Sequence, residues 1–134
     1  MSRIVAAGLG CRKGCGAEEI VALVGLALRE ADIPEIELSG LFAPAFKHGE
    51  SGIPEAASRL GVPLVLIPEA VLKAAEPRVL TVSERVIALT GLASVAETAA
   101  LAGAGPHSKL VRPRIASINA TCAIAISGGP GDQP

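Results

Sequence analysis

The 134-residue chain contains no tryptophan and no tyrosine, and Phe42 and Phe46 are its only aromatic side chains. Proteins that bind single-stranded nucleic acid stack bases on aromatic side chains, so this class of protein is not expected here. The net charge is −1 at pH 7, so a broad basic surface is missing as well. We therefore expect no nucleic acid partner.

Long apolar runs and paired cysteines are also lacking. No stretch approaches the length of a membrane span, and the apolar run near Met1 is too short for a signal peptide. Cys11, Cys15 and Cys122 form neither a CxxC pair nor a disulfide framework. We expect a cytoplasmic protein with no membrane partner, no bound metal and no cofactor of its own.

Apolar residues are abundant, since they make up half of a chain whose length is typical of one domain. Short apolar runs that suit buried strands alternate with helical patterns. This alternation predicts a three-layer α/β/α domain around a mostly parallel, mixed sheet of about five strands. We expect this single domain to span residues 1–127. A disordered tail is predicted at 128–134, where there is little to bury.

The strands and helices can be placed along the chain from these patterns. The predicted strands are 3–9, 35–43, 62–67, 109–114 and 120–126, the first three of them buried. The first predicted helix spans 17–31 and is ended by Asp32-Ile33-Pro34, and a short second helix runs from Ile53 to a stop at Gly61. A third is predicted at 68–75. A fourth is capped by Ser83 and stopped by Gly91, and a fifth, rich in small residues, covers 94–105.

A glycine-rich turn separates the first strand from the first helix, where IVAAGLG runs into CRKGCGAEE. Backbone N–H groups in such a turn, at the positive end of a helix, bind anions. Gly8 and Gly10 begin like a dinucleotide fingerprint, but Gly14 comes one residue late for GxGxxG. Arg12 offers a planar fork that fits a carboxylate, and Lys13 adds a mobile charge. We interpret the turn as an anion site. The alternative is a tight turn with two solvated cations.

Other polar residues have both a structural and a functional interpretation. Cys11 lies beside the two cations, which favour the thiolate form of a cysteine. The simpler explanation is that the cysteines are small apolar residues packed in the turn. Ser94 and Glu97 form the S-x-x-E pattern of a capping box, with a ligand contact as an addition. Lys47 and Glu50 are either an exposed, solvated pair or part of a ligand site, since they follow the second strand at the position where open sheets bind ligands.

Arg112 and Arg114 lie two residues apart in a predicted strand. Side chains at this spacing point to the same side of a strand. The pair is expected to form a compact cationic patch, or to protect a sheet edge with charge.

Four segments, GLGCRKGCGAEEI, FKHGESG, GLASVAETAAL and TCAIAI, together resemble the CobE family, which matches the C-terminal domain of the CbiG proteins. The resemblance runs from about Ile4 to Ile126 and implies a role in cobalamin biosynthesis. CbiG-type proteins carry additional N-terminal regions, open the lactone ring of a cobalt-precorrin and release acetaldehyde. The stand-alone CobE type is thought to assist with or bind corrin-ring intermediates.

The resemblance also implies a ligand site but no assigned catalytic residue. Together with Gly8 of the turn, the implied ligand-binding residues are Gly10, Cys11, Arg12, Lys13, Gly14, Lys47, Glu50, Ser94, Glu97, Arg114 and Thr121. Ala45 stands where the family has an acidic residue, and Arg114 stands where it often has lysine. The missing acid weakens an acid–base role in that loop, whereas anion binding is unaffected.

The leading hypothesis is a protein that binds a polycarboxylate precorrin or corrin intermediate, as a carrier, a chaperone or a partner of other cobalamin-pathway enzymes. Arg12 and Lys13 are expected to meet the carboxylate rim of the ligand. Leu41, Phe42 and Phe46 are expected to meet its apolar ring. One alternative is a hydrolase that opens the lactone ring of a precorrin with release of acetaldehyde. Another is a nucleotide-binding module.

Overall fold

The computed structural model describes residues 3–47, 49–80 and 94–128, which form a three-layer α/β/α domain as predicted. Its strands and helices are, in chain order, β1 (Val5–Cys11), α1 (Ala17–Glu30), β2 (Gly40–Pro44), α2 (Gly52–Leu60), β3 (Leu64–Ile67), α3 (Glu69–Ala75), α4 (Val95–Ala104), β4 (Lys109–Ala116) and β5 (Ala120–Ile126). The predicted helix between Ser83 and Gly91 lies outside the described residues, as does the predicted tail from residue 129 onward.

The five strands form one mixed sheet in the order β3-β2-β1-β5-β4. β1 pairs in parallel with β2, and β2 with β3, whereas β5 runs antiparallel to both β1 and β4. Side chains of β1 alternate between two separate cores. Leu9 belongs to the core shared with α1 and α2, and Ala6 to the core shared with α3 and α4. The central strand is therefore buried on both faces, as its unbroken apolar run predicts.

The first two helices end in left-handed residues. Asp32 adopts φ 59° after α1, and the N–H of Ile33 donates to the carbonyl of Leu28 at 2.9 Å, which completes a Schellman motif. Gly61 ends α2 with φ 71°, as predicted. The predicted end of α1 is therefore confirmed, although the conformation of Asp32 contributes to it as well as Pro34.

Two strands differ from their predictions. The predicted strand 35–43 opens with a 3₁₀ turn at Glu35–Glu37, so β2 begins only at Gly40. The prediction that β3 is buried is wrong, because β3 lies at the edge of the sheet with Val65 and Leu66 exposed. An apolar run indicates a strand but does not reveal whether that strand has one neighbour or two.

Helix α4 lies unusually close to the sheet, as its small residues predict. A Cβ atom built on Gly8 would lie 2.0 Å from the carbonyl oxygen of Ala96 and 2.3 Å from the backbone N of Ala100. The ring of Phe42 packs against Gly103 in the same way, with a built Cβ only 2.4 Å from the ring. Glycine at position 8 is thus required by the contact between helix and strand.

Gly8→Ala is expected to lower the free energy of unfolding by about 1–3 kcal/mol, because the added methyl group overlaps backbone atoms that cannot move independently. Urea denaturation measures the change. Gly25→Ala is the matched control, since its Cβ would meet only the flexible Arg29 side chain at 3.5 Å. Within a helix this control should stabilise the protein by about 0.5–1 kcal/mol. Equal stability of the two variants would contradict the packing explanation.

The carboxyl ends of β1, β2 and β3 all lie at the same end of the sheet. We call this end, which runs across the strands, the carboxyl edge. The turn between β4 and β5 lies at the same edge, because Cys11 at the end of β1 pairs with Ala120 at the start of β5. Helix α4 begins there too, since a Cβ on Gly10 would lie 3.6 Å from the Val95 side chain. Several segments singled out in the sequence therefore meet at this edge.

Candidate functional site

The loop after β1 contains a tight turn that carries two exposed cations. The N–H of Cys15 donates to the carbonyl of Arg12 at 3.1 Å, and Gly14 has φ 81°, a conformation that glycine adopts without strain. Arg12 and Lys13 are both exposed. Neither side chain forms an ion pair with any residue that the structure describes. The turn therefore presents two exposed positive charges at the carboxyl edge.

The loop after β2 braces this cationic turn from one side. Oε1 of Glu50 accepts a hydrogen bond from the N–H of Gly14 at 2.7 Å. Gly52 packs so closely that a Cβ there would lie 2.1 Å from the carbonyl oxygen of Cys15. The two loops therefore share the carboxyl edge, as predicted. The protein's own carboxylate occupies the Gly14 N–H, which is one of the backbone donors of the predicted anion site.

Lys47 is the last residue of the 3₁₀ turn Ala45–Lys47, which follows β2 at the carboxyl edge. Its backbone thus lies in the loop that braces the cationic turn. The side chain of Lys47 falls outside the described part of the structure, so its role in a site stays a prediction.

A second carboxylate braces the cationic turn from the other side. Oε2 of Glu19, in the first turn of α1, accepts from the hydroxyl of Ser117 and from the N–H of Asn119 at 2.7 Å. Oε1 of Glu19 accepts from Nδ2 of Asn119 at 3.0 Å. The carbonyl of Asn119 in turn accepts from the N–H of Arg12 at 2.8 Å. Glu19 thus ties the β4–β5 turn to the start of α1, beside Arg12.

These hydrogen bonds lower the pKa of the Glu19 carboxyl, with the Ser117 hydroxyl the largest cause and Asn119 the next. A lowered pKa means that the native state is stabilised by the ionised carboxylate at neutral pH. That stabilisation is lost as the pH falls below the ordinary value of 4.5 and through the lowered pKa. No local sequence pattern marks Glu19, because its partners lie about a hundred residues away along the chain.

Gly10 and Thr121 are neighbours on β1 and β5, near the start of α4. The Thr121 hydroxyl donates to the carbonyl of Gly10 at 3.4 Å, and a Cβ on Gly10 would lie 2.7 Å from that hydroxyl oxygen. Both residues are partly accessible at the carboxyl edge. Gly8, by contrast, is buried beneath α4, so packing accounts for glycine at that position.

The comparisons with known proteins identify the family. The sequence matches the family model described as cobalamin synthesis G C-terminus over residues 5–125, which is nearly the whole domain. The chain belongs to this family. It is a cobalamin biosynthesis protein of the CobE and CbiG type.

Relatives within the CbiG C-terminal family have similar sequences and folds. Protein CobE from a Sinorhizobium species is 38% identical over 118 residues, which cover 88% of this chain and 77% of that one. The crystal structure of a CobE from the cobalamin pathway has a TM-score of 0.86 at 35% identity, covering 94% of this chain and 92% of that one. The cobalamin biosynthesis protein ChiG from Agrobacterium tumefaciens has a TM-score of 0.75 at 34% identity, covering 94% and 100%.

The Ser94–Glu97 segment of this CbiG C-terminal domain caps α4 and also joins it to other parts of the chain. The hydroxyl of Ser94 accepts from the N–H of Glu97 at 3.4 Å, which confirms the predicted cap of α4. The Glu97 carboxylate is fully buried, and it accepts from the N–H of Leu80 at 2.7 Å and from the N–H of Arg114 at 2.8 Å. Glu97 therefore joins three segments of the chain.

A bulge in β4 makes this contact possible. The register of β4 against β5 shifts between Arg112 and Ile115, and the backbone N–H of Arg114 turns to Glu97. The same shift breaks the simple alternation of side chains on which the predicted cationic patch rested. Nε of Arg112 is paired with Oε1 of Glu30 on α1 at 2.7 Å, so Arg112 is not a free cation of the site.

The apolar side chains expected to contact a ligand ring are mostly in the core. Leu41 is fully buried beside α1 and α2, and Phe42 is buried against α4, so the prediction of ring contacts for these two is wrong. Phe46 is 48% exposed in the turn after β2. Helices cover both faces of the sheet at β2, so the side chains of Leu41 and Phe42 are buried although they point to opposite faces. Phe46 lies in the turn after the strand and therefore remains accessible.

Two of the three cysteines are buried in this member of the family. Burial raises the pKa of the Cys15 thiol to about 11, with the nearby Glu19 charge adding to the effect. Burial alone raises the pKa of Cys122 to about 12. Within the described residues, no group of three or more His, Cys, Asp or Glu side chains is placed to hold a metal ion. No helix in this part of the chain is long and apolar enough to cross a membrane.

Cys15 is expected to resist alkylation by iodoacetamide in the folded protein. A pKa of about 11 in place of 9.0 lowers its thiolate fraction at pH 8 about a hundredfold, and the thiolate is the reactive form. Mass spectrometry of the alkylated peptides gives the rate, with the urea-unfolded chain as control. Equal rates in the folded and unfolded chains would show that the thiol is not shielded.

Proposed function

We propose that this chain is a cytoplasmic protein that binds a polycarboxylate precorrin or corrin intermediate at its carboxyl edge. It would act there as a carrier, a chaperone or a partner of another cobalamin-pathway enzyme. The observation that carries the proposal is the pair of exposed cations, Arg12 and Lys13, on a turn that is held from both sides by Glu50 and Glu19 through Asn119.

The chemistry of the ligand matches these residues. Precorrins and corrins carry acetate and propionate carboxylates around an apolar ring, so a binding protein needs cations for the rim and apolar surface for the ring. Arg12 offers a bidentate fork to a carboxylate and Lys13 a point charge. Because the braced turn is already ordered, little conformational entropy is lost when a ligand binds.

The alternative activity, opening of a precorrin lactone, requires a base that can activate a nucleophile. The described carboxyl edge does contain a hydroxyl bonded to a carboxylate, Ser117 to Glu19. The pKa of this carboxyl is lowered and Asn119 donates to both of its oxygens, so Glu19 is a weak base. This property favours binding over hydrolysis.

Titration of the purified chain with cobyrinic acid, a corrin with free side-chain carboxylates, tests the proposal. Binding is followed by the absorbance of the corrin, and NAD and ATP serve as anionic controls. We expect saturable binding of the corrin acid that exceeds binding of either nucleotide. Equal or tighter binding of a nucleotide would overturn the proposal. Release of acetaldehyde from a lactone-bearing precorrin would establish the hydrolase instead.

A further inference from the structure

The turn between β4 and β5 presents one apolar side chain at the carboxyl edge. Ile118 stands at the tip of this turn and is 84% exposed. Its two chain neighbours, Ser117 and Asn119, are the residues that donate to the Glu19 carboxylate. Ile118 is therefore an exposed apolar group on a backbone that is fixed on both sides.

The backbone next to Ile118 is also hydrogen-bonded to the cationic turn. The carbonyl of Asn119, one residue from Ile118, accepts from the N–H of Arg12 at 2.8 Å. A single exposed isoleucine is ordinary on a protein surface and needs no explanation. Here, however, the isoleucine lies in a turn whose backbone is hydrogen-bonded to Arg12, and Arg12 and Lys13 have no ion-pair partner among the described residues. Apolar surface beside positive charge is the complement of an apolar ring with a carboxylate rim.

We propose that Ile118 contacts the face of the corrin macrocycle while Arg12 and Lys13 bind its carboxylates. Glu19 is then a positioning residue, which acts by holding the turn that carries Ile118. This inference rests on the proposed function and names a contact that neither the glycine-rich turn nor the family motifs contain. It assigns a third segment, residues 117–119, to the wall of the site.

Ile118→Ser is the first test, with cobyrinic acid as the probe. Removing an apolar contact of this size should weaken binding about 5- to 30-fold. Ile118→Leu should restore most of the affinity, because it replaces the apolar surface without charge. The loss should persist at high salt, since an apolar contact is not screened. The substituted side chain is exposed, so circular dichroism should show an unchanged fold.

Ile36→Ser is the matched control. Ile36 is 93% exposed in the 3₁₀ turn before β2, at the opposite edge of the sheet from Ile118. Its replacement removes a similar exposed side chain and should leave the affinity for cobyrinic acid unchanged. If Ile36→Ser weakens binding as much as Ile118→Ser does, the effect is not specific to the tip and the proposal is wrong.

Glu19→Gln tests the positioning role in a double-mutant cycle with Ile118→Ser. If Glu19 acts through Ile118, Glu19→Gln should weaken binding in the natural background and have less effect once Ile118 is serine. Additive losses would overturn the positioning role. Wild-type affinity in Ile118→Ser would overturn the contact itself and leave the proposed function standing. Failure of the wild-type chain to bind cobyrinic acid would remove both.

Discussion

Arg12→Ala and Lys13→Ala are each expected to weaken binding of cobyrinic acid about 10- to 100-fold and to leave the free energy of unfolding nearly unchanged. A hydrogen bond between a charged donor and a carboxylate contributes about 1.5–3 kcal/mol, and 1.4 kcal/mol corresponds to a tenfold change in affinity. Exposed cations on a turn contribute little to folding. Absorbance titration measures the affinity, and urea denaturation measures the stability.

Three comparisons sharpen this result. Arg12→Lys should recover only part of the affinity, because it keeps the charge and loses the planar fork. Amidation of the ligand's carboxylates should reproduce the loss of affinity. When a mutation is combined with amidation, the total loss should be smaller than the sum of the two separate losses if the mutated side chain contacts the amidated carboxylate. Arg59→Ala is the control, since Arg59 is an exposed arginine in the last turn of α2, away from the carboxyl edge. Wild-type affinity of the alanine variants for both the acid and its amide would show that the two cations are only solvated.

Glu97→Ala is expected to lower the free energy of unfolding by about 2–6 kcal/mol. The substitution removes the acceptor of two part-buried hydrogen bonds, those donated by the N–H groups of Leu80 and Arg114, and loss of a hydrogen bond to a buried carboxylate costs about 1–3 kcal/mol. Glu97→Gln should cost less than alanine, because its amide carbonyl still accepts one of the two bonds. Urea denaturation, followed by circular dichroism, measures the loss.

Glu55→Ala is the matched control for this experiment. Glu55 also lies in the first turn of a helix, but it is exposed and its ion pair with Arg59 is at the surface. Its removal should change the stability by less than about 1 kcal/mol. A stable Glu97→Gln variant that loses affinity for cobyrinic acid would contradict the structural role and assign the carboxylate to the ligand.

The sequence predicts the layers of the fold well because the type and ends of helices and strands depend on local pattern. Helix α1 was expected to begin at Ala17, and it does so. Gly61 ends α2 as expected, because a left-handed residue after a helix is a local requirement. The place of β3 at the sheet edge is not local. It depends on which strands pair, and the run VPLVLI reads the same at an edge as in the centre.

The residues of the candidate site likewise include some that a local sequence pattern predicts and others that it does not. The cationic turn is visible in the sequence because its glycines and charges are adjacent, whereas Glu19 bonds residues about a hundred positions away and has no local signature. Glu97 is instructive because its sequence pattern is local, whereas two of its hydrogen-bond partners are distant in the chain. The Ser94 cap forms as predicted, and a bulge in β4 supplies the N–H of Arg114, a partner that the pattern does not indicate.

The pairing of β1 with β5 has a consequence for how the protein is made. Within this domain β1 is synthesised before the other four strands and becomes the centre of the sheet, and one of its two sides is completed only by residues 120–126. Until those residues emerge, one long edge of an apolar strand has no partner, and such edges promote aggregation. The central strand of this domain therefore stays half-paired until β5 has been synthesised.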